Sequence, residues 1–476
     1  MAGFCRVRAQ RKRSARGSGP LLLAFFHPYV SGGGGGERVL WKMIQELLML
    51  QKENATKLFK IIIYTVDEPK PSYAQDLLEH VRDRFSIDLT DREMEAESTL
   101  SYVHLNEYKH YLQPASRLSL LVESFGTMQL AWKGLTFGDK WDLIPDIFVD
   151  TTGCAFTFVV ANLLLGCRVW AYVHYPTIST DMLQLVWEQR RAAYNHANYI
   201  AQSKVATAVK LVYYCMFAVL YGLTGSLASV VLVNSTWTYN HIKSLWKWAA
   251  WQRRIQIVYP PCQVSQFQHN QVLTKNSKHR ENVILSIGQF RPEKDHVLQI
   301  EALAKFLEEH PRWKGRVKLV LIGSCRGESD RQRLEHLKGL AESHHWDTST
   351  IEFVVNQPYS VVQSWLSKAS MGIHTMWNEH FGIGIVEMMA AGVIAIANNS
   401  GGPRSDIVST TESERSGFLA STAEEYADSI HRVLETLSAE EIAQIRHRAR
   451  VSAARFSDEV FARKVREVYE KNLLLK

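Results

Sequence analysis

Residues 282–307 read NVILSIGQFRPEKDHVLQIEALAKFL, and this stretch decides the fold. Asn282 to Gly288 is a nearly uninterrupted apolar run of strand length. Gln289 to His296 is a polar loop containing Pro292, and Val297 to Leu307 repeats apolar residues at helical spacing. A strand that is apolar on both faces belongs in a parallel sheet covered by helices on both sides. The first part of the chain has the same grammar: Leu21 to Phe26 is the strand, Gly32 to Gly36 a glycine loop, and Glu37 to Leu50 an amphipathic helix. Further strands are expected at Ile61 to Thr65, Ile147 to Asp150, Val169 to His174 and Val230 to Asn234. In the second half they are expected at Lys318 to Gly323, Glu352 to Val355, Gly372 to Thr375 and Val393 to Asn398. Strands alternating with helices in this way predict two Rossmann-like, doubly wound α/β domains. The polar stretch Gln266 to Glu281 reads as the linker. The domains then span residues 20–270 and 280–455, preceded by a basic tail, 1–19, and followed by a helix within 456–476 that is expected to pack back on the first domain.

The formal net charge of +7 misleads, because Arg6, Arg8, Arg11, Lys12, Arg13 and Arg16 precede the first acid. Without them the chain is close to neutral, which argues against a nucleic-acid partner. The basic tail fits a solvated arm, a contact for anionic lipid or a presequence. The six cysteines are scattered without C-x-x-C spacing, a pattern that suits a reducing compartment without structural zinc. From Leu211 to Val233 there are 23 residues without a charge. The end of this run, Val230 to Asn234, reads as a core strand, which leaves an apolar helix at about residues 206–221. That helix is either buried core or a helix dipping into one leaflet of a membrane; a full span would remove the strand from its sheet.

The chemistry concentrates at Thr375-Met-Trp-Asn-Glu379-His-Phe381-Gly382-Ile383-Gly384-Ile-Val-Glu387. A strand ends at Thr375, a loop follows and a helix begins near Gly384, so free N–H groups and the positive end of the helix dipole can face a diphosphate. Glu379 in the loop can accept hydrogen bonds from sugar hydroxyls, and Glu387, one turn into the helix, can take both ribose hydroxyls. An E-x7-E spacing alone is commonplace, since a solvated loop acid and a helix-start charge give the same pattern. What adds weight is the strand–loop–helix context together with a second turn, Asn399-Ser-Gly401-Gly402-Pro403.

The E-x7-E block, the G-Q-F-R-P-E-K loop (Gly288 to Lys294) and the S-G-G-P turn resemble the retaining glycosyltransferases of the GT-B, family 4 type. More closely, AFFHPYVSGGGGGERVLW (24–41), YVHYPTISTDML (172–183), VNSTWTYNHIKSLW (233–246) and VYPPC (258–262) resemble the eukaryotic α-1,2-mannosyltransferases of asparagine-linked glycan assembly. The resemblance runs from about Leu21 to Phe456. It implies GDP-mannose as donor co-substrate, no metal or other cofactor, and a dolichol-diphosphate-linked Man3GlcNAc2, then Man4GlcNAc2, as acceptor. It also implies a site on the cytosolic face of the endoplasmic reticulum membrane and contact with other mannosyltransferases of the pathway. Lys294 and Arg291 would neutralise the donor diphosphate, although the family usually has its arginine at the position of Gln289. Gly34, Gly35, Gly36 and Gly288 would let backbone approach the phosphates, with Phe381, Gly382 and Ile383 completing the donor site. His174 would orient the transferred sugar. Five glycines also fit a plain flexible linker, a reading that their placement between a buried strand and an amphipathic helix disfavours, and without the Y-V-H-Y-P context His174 reads as a structural histidine. A UDP-sugar transferase of the same fold and a non-catalytic membrane scaffold are the rival readings. Relatives usually begin with a membrane anchor, whereas here a basic tail leads directly to the first strand, so attachment would rest on the helix at 206–221 and on basic residues.

Overall fold

A computed structural model describes residues 19–54, 58–89, 99–115, 118–136, 144–187, 204–269 and 280–474. The basic tail and most of the expected linker lie outside the described residues. The chain divides into two units: the first runs to Tyr259 and regains the chain from Ala462 onward, and the second is essentially Pro260–Phe461.

The first unit is built on seven parallel strands, β1 (Leu21–Phe26), β2 (Phe59–Thr65), β3 (Leu100–His104), β4 (Ile147–Asp150), β5 (Arg168–Val173), β6 (Val230–Val233) and β7 (Ile255–Ile257), in the order β3-β2-β1-β4-β5-β6-β7. The chain winds outward from β1 in one direction and then from β4 in the other, so the switch point lies between β1 and β4. After the helix Asp458–Tyr469 begins, the tail joins this unit: the Tyr469 hydroxyl donates to the Met43 carbonyl at 3.0 Å and Arg466 pairs with Glu53 at 2.8 Å.

The second unit has six parallel strands, β8 (Glu281–Ile287), β9 (Lys318–Gly323), β10 (Ile351–Val355), β11 (Ala369–His374), β12 (Ile394–Asn398) and β13 (Gly417–Ala420), in the order β10-β9-β8-β11-β12-β13. Counted within the unit this is the 3-2-1-4-5-6 order of dinucleotide-binding sheets, with the switch point between β8 and β11.

Three readings of the sequence need correction. Gly35 and Gly36 are not loop: the helix spans Gly35–Glu53, with Gly34 as its N-cap and Glu37 closing a capping box. His174 and Thr375 do not end strands but follow them, β5 ending at Val173 and β11 at His374. The apolar helix is longer than expected, Lys204–Gly225. Gly222 and Gly225 do not break it; each gives room to a neighbour. A Cβ on Gly222 would stand 2.5 Å from the Leu245 carbonyl oxygen, and one on Gly225 would fall inside the buried Trp246 ring. Nor is this a buried core helix. Phe217 and Tyr221 point inward and are fully buried, but Val209, Val212, Met216, Val219 and Leu223 recur along one outward face and are all more than half exposed.

Candidate active site

In the second unit both loops that flank the switch point carry site residues. After β8 the chain passes Gly288 and turns through a single 3-10 turn, Pro292–Lys294. After β11 it passes Thr375 and reaches Glu379 and then the helix Ile383–Ala391. Lys294 and Glu379, 85 residues apart in sequence, meet here: Lys294 Nζ lies 2.5 Å from Glu379 Oε2. His374 Nε2 lies 3.1 Å from the same oxygen. Burial raises the Glu379 pKa, but the Lys294 charge and the His374 hydrogen bond outweigh it, and the carboxyl is held well below its usual range. Burial, reinforced by Lys294, lowers the His374 pKa, so the ring donates to Glu379 in its neutral form.

Thr375 ties the two loops together. Its hydroxyl is 2.8 Å from the Lys294 carbonyl oxygen and 2.9 Å from that of Asp295, and it accepts from Gln299 Nε2 at 2.9 Å. Asp295 has a left-handed backbone (φ 46°), which turns the chain into the helix His296–Glu309. Replacing Thr375 by valine keeps the shape and removes these bonds. We expect a loss of about 1–3 kcal/mol in urea unfolding and a roughly tenfold lower kcat, because Lys294 is no longer fixed.

Gly382 adopts φ 116°, a conformation that an L side chain rarely takes, and caps the helix that follows. The Ile385 and Val386 N–H groups both donate to the Gly382 carbonyl, at 3.0 and 3.2 Å, so the Ile383 and Gly384 amides precede the first bonds of the helix. Phe381 is buried against Phe456. Glu387 is half-buried one turn in, and its Oε1 accepts from the Tyr359 hydroxyl at 3.0 Å. The S-G-G-P turn packs backbone to backbone on the Glu379 loop: Gly402 N–H donates to the Glu379 carbonyl at 2.7 Å, and a Cβ on Gly401 would overlap that carbonyl oxygen. Asp406 is buried just beyond it. Arg291 is exposed on extended backbone three residues before Lys294, whose N–H donates to its carbonyl at 3.1 Å.

In the first unit the candidates gather around the end of β1. Gly34 N–H donates to Glu37 Oε2 at 2.8 Å, and Glu37 Oε1 lies 3.7 Å from His27 Nε2. His27 Nδ1 is 2.7 Å from Thr151 Oγ1, so residues following β1 and β4 meet at the switch point. Burial raises the Glu37 pKa, whereas His27 and the backbone amides lower it, with a net fall. A Cβ on Gly36 would stand 3.5 Å from His174 Nε2. The backbone of His174 is fixed by Asn234, whose Nδ2 donates to its carbonyl at 2.7 Å. The structure therefore brings Gly34, Gly36 and His174 together, along with His27 and Glu37, which the sequence reading did not select. In the second unit it missed His374 and Tyr359.

The family described as ALG11 mannosyltransferase N-terminus matches residues 20–246, and that described as Glycosyl transferases group 1 matches residues 269–452. The GDP-Man:Man(3)GlcNAc(2)-PP-Dol alpha-1,2-mannosyltransferase of Mus musculus is 43% identical over 465 residues, covering 95% of this chain and 88% of its own length. The Xenopus laevis protein of the same name is 42% identical over 464 residues, covering 96% and 89%. Among solved structures, sucrose-phosphate synthase from Thermosynechococcus elongatus superposes with a TM-score of 0.64 at 15% identity, over 96% of this chain and all of its own, which speaks for the two-domain GT-B fold. With more than two-fifths of its residues shared over nearly the full length of these relatives, the chain belongs to the family of GDP-Man:Man(3)GlcNAc(2)-PP-Dol alpha-1,2-mannosyltransferases.

Proposed function

We propose that this protein transfers mannose from GDP-mannose, in α-1,2 linkage and with retention of configuration, to dolichol-diphosphate-linked Man3GlcNAc2, and then to the Man4GlcNAc2 product. The observation that carries this reading is the Lys294–Glu379–His374 cluster, held at the carboxyl ends of β8 and β11. A nucleoside diphosphate at this switch point meets the Ile383 and Gly384 amides and the Lys294 ammonium, which has N–H groups for both Glu379 and a phosphate oxygen. Glu379, kept ionised by Lys294 and His374, holds sugar hydroxyls. Glu387, oriented by Tyr359, accepts from the ribose. As the glycosidic bond breaks, charge collects on the departing diphosphate, and the cations are already in place to meet it. Arg291 adds a second cation at the loop surface, and His174 orients the mannose.

In this reading the cations neutralise the diphosphate and no metal is required. Among the described residues one trio, His310, His431 and Glu435, comes within metal-ligand reach. His310 follows the far end of the helix that begins at His296, and Glu435 is already engaged by Arg312 and Trp313.

The working surface is the cytosolic face of the endoplasmic reticulum membrane, where the lipid-borne acceptor resides. The outward stripe on the helix Lys204–Gly225 supports this. So does the helix Ser119–Leu135 beside it, joined through Leu121 N–H donating to the Tyr213 hydroxyl at 3.1 Å, which with its N-cap Leu118 exposes Leu118, Val122 and Phe125. The test is turnover of a lipid-linked pentasaccharide with GDP-mannose or UDP-sugars, in the presence and absence of EDTA, read by product mass. One and then two added mannoses from GDP-mannose, insensitive to chelation, are expected. Exclusive use of a UDP-sugar would overturn the donor assignment, and loss of activity on chelation would overturn the metal-free mechanism.

A further inference from the structure

The outward face of the helix Lys204–Gly225 ends at a groove of about 970 Å³. Ala218, Val219, Leu223 and Leu227 give it an apolar wall, and Arg168, Lys247 and Arg254 stand on its other sides. No acid lines it. Arg254 is fixed by donating to the Ala228 carbonyl at 3.0 Å, and Arg168 lies over the Trp170 ring at 5.9 Å. Trp248, also at the groove, is more than half exposed and packs on the still more exposed Trp251, with ring centroids 4.9 Å apart. Exposed tryptophans beside lysine and arginine, at the end of an apolar helix face, form the chemical gradient of a bilayer interface: chains on one side, headgroups on the other.

The position of the groove in the fold separates it from the transfer site. Arg168 opens β5, and Ser229 and Arg254 immediately precede β6 and β7, so the groove lies at the amino ends of the strands. His27 and His174 lie at the carboxyl ends. The six residues of β5 alone place about 20 Å between Arg168 and His174. The exposed stripe from Val209 to Leu223 covers about 21 Å of helix, long enough for the helix to lie along a membrane surface while its final turn meets the headgroups.

We propose that this groove binds an anionic phospholipid of the bilayer, with its acyl chains against Val219 and Leu223 and its phosphate among Lys247, Arg254 and Arg168. The proposal rests on reading the helix Lys204–Gly225 as membrane-facing, and the experiment separates the two. The full-length protein is floated with phosphatidylcholine vesicles, with or without phosphatidylserine. Three cations near the surface, each worth about fivefold in affinity, predict a preference for the anionic vesicles of at least about tenfold. Lys247→Glu should remove about fivefold or more of that preference and leave binding to neutral vesicles unchanged. Val219→Glu with Leu223→Glu should weaken binding to both. Arg82→Glu, which reverses an exposed cation on a helix remote in sequence, is the control for diffuse charge and should change neither.

The lipid site is overturned if Lys247→Glu binds both vesicles as the wild type does, or if Arg82→Glu costs as much as Lys247→Glu. The membrane-facing helix is overturned separately if Val219→Glu with Leu223→Glu leaves binding to neutral vesicles intact. A direct reading of the groove comes from phosphatidylserine with brominated chains, which should quench tryptophan fluorescence less in Trp248→Phe than in the wild type. Equal quenching in the two would also overturn the lipid site.

Discussion

Replacing Lys294 by alanine is expected to lower kcat for mannosyl transfer by about 10²–10³-fold, the usual cost of removing one preorganised group that meets developing charge. The ammonium is a point charge held 2.5 Å from Glu379 Oε2 and 3.3 Å from Met376 Sδ, on a loop clamped by Thr375. Arginine in its place restores the charge but brings a broad planar fork where a compact group is held, so Lys294→Arg should recover only part of the loss. The substitution acts twice, since Glu379 loses the partner that offsets its burial and its pKa moves upward. Steady-state kinetics with GDP-mannose on the lipid-linked acceptor, with the fold checked by urea unfolding, measures this. A decrease smaller than about tenfold would remove Lys294 from the charge-bearing role.

The two switch points are arranged alike. In each, a loop after the first strand carries a cation or potential cation, and a carboxylate is drawn to it: Lys294 with Glu379 in the second unit, His27 with Glu37 in the first. The chemistry differs because the electrostatics differ. Glu379 has a direct charged contact and is pulled down strongly, whereas Glu37 is steadied mainly by a histidine at 3.7 Å and the Gly34 amide. Glycine at position 34 caps its helix without a side chain, and the Glu37 carboxylate reaches back to accept from the Gly34 N–H.

The central strands were legible because each is a continuous apolar run, and β4 and β9 begin and end where the pattern places them. The edge strands β3, β7 and β13 were not read. Their sequences, LSYVH, IQI and GFLA, are short or carry polar residues on half-exposed positions, so the apolar run that marks a two-sided strand is missing. Lys294, Glu379 and Glu387 were legible as motif members. His374 and Tyr359 were not, because each earns its place through a contact that sequence spacing does not reveal. In the sequence His374 reads as an interior residue of a buried strand, and Tyr359 lies 28 residues before Glu387 on another helix. The end of the apolar helix was missed for a related reason: it runs on to Gly225, where Trp246, 21 residues on, occupies the space a side chain would need.

Glu379→Gln is expected to abolish most transfer and also to destabilise the second unit, and the two effects have one origin. Glutamine keeps the shape of the side chain but leaves the Lys294 ammonium partly buried without an anion. Removing one member of a buried pair costs about 3–5 kcal/mol. Lys294 retains 24% side-chain exposure and Glu379 13%, which puts the expected loss near the lower end, about 3 kcal/mol at pH 7. The pH dependence identifies the source. Because the folded state holds the Glu379 carboxyl well below the usual carboxylate range, its contribution is complete above about pH 4.5 and is lost as pH falls through the folded pKa. Urea unfolding of wild type and variant should therefore differ by a constant amount from neutral pH down to that point and converge below it. A gap that persisted unchanged at strongly acidic pH would mean that the ionised carboxylate is not what stabilises the loop. The same argument fixes how activity should respond to acid. A carboxylate already committed to Lys294 and His374 stays ionised through the weakly acidic range, so the acid limb of the rate profile must belong to another group.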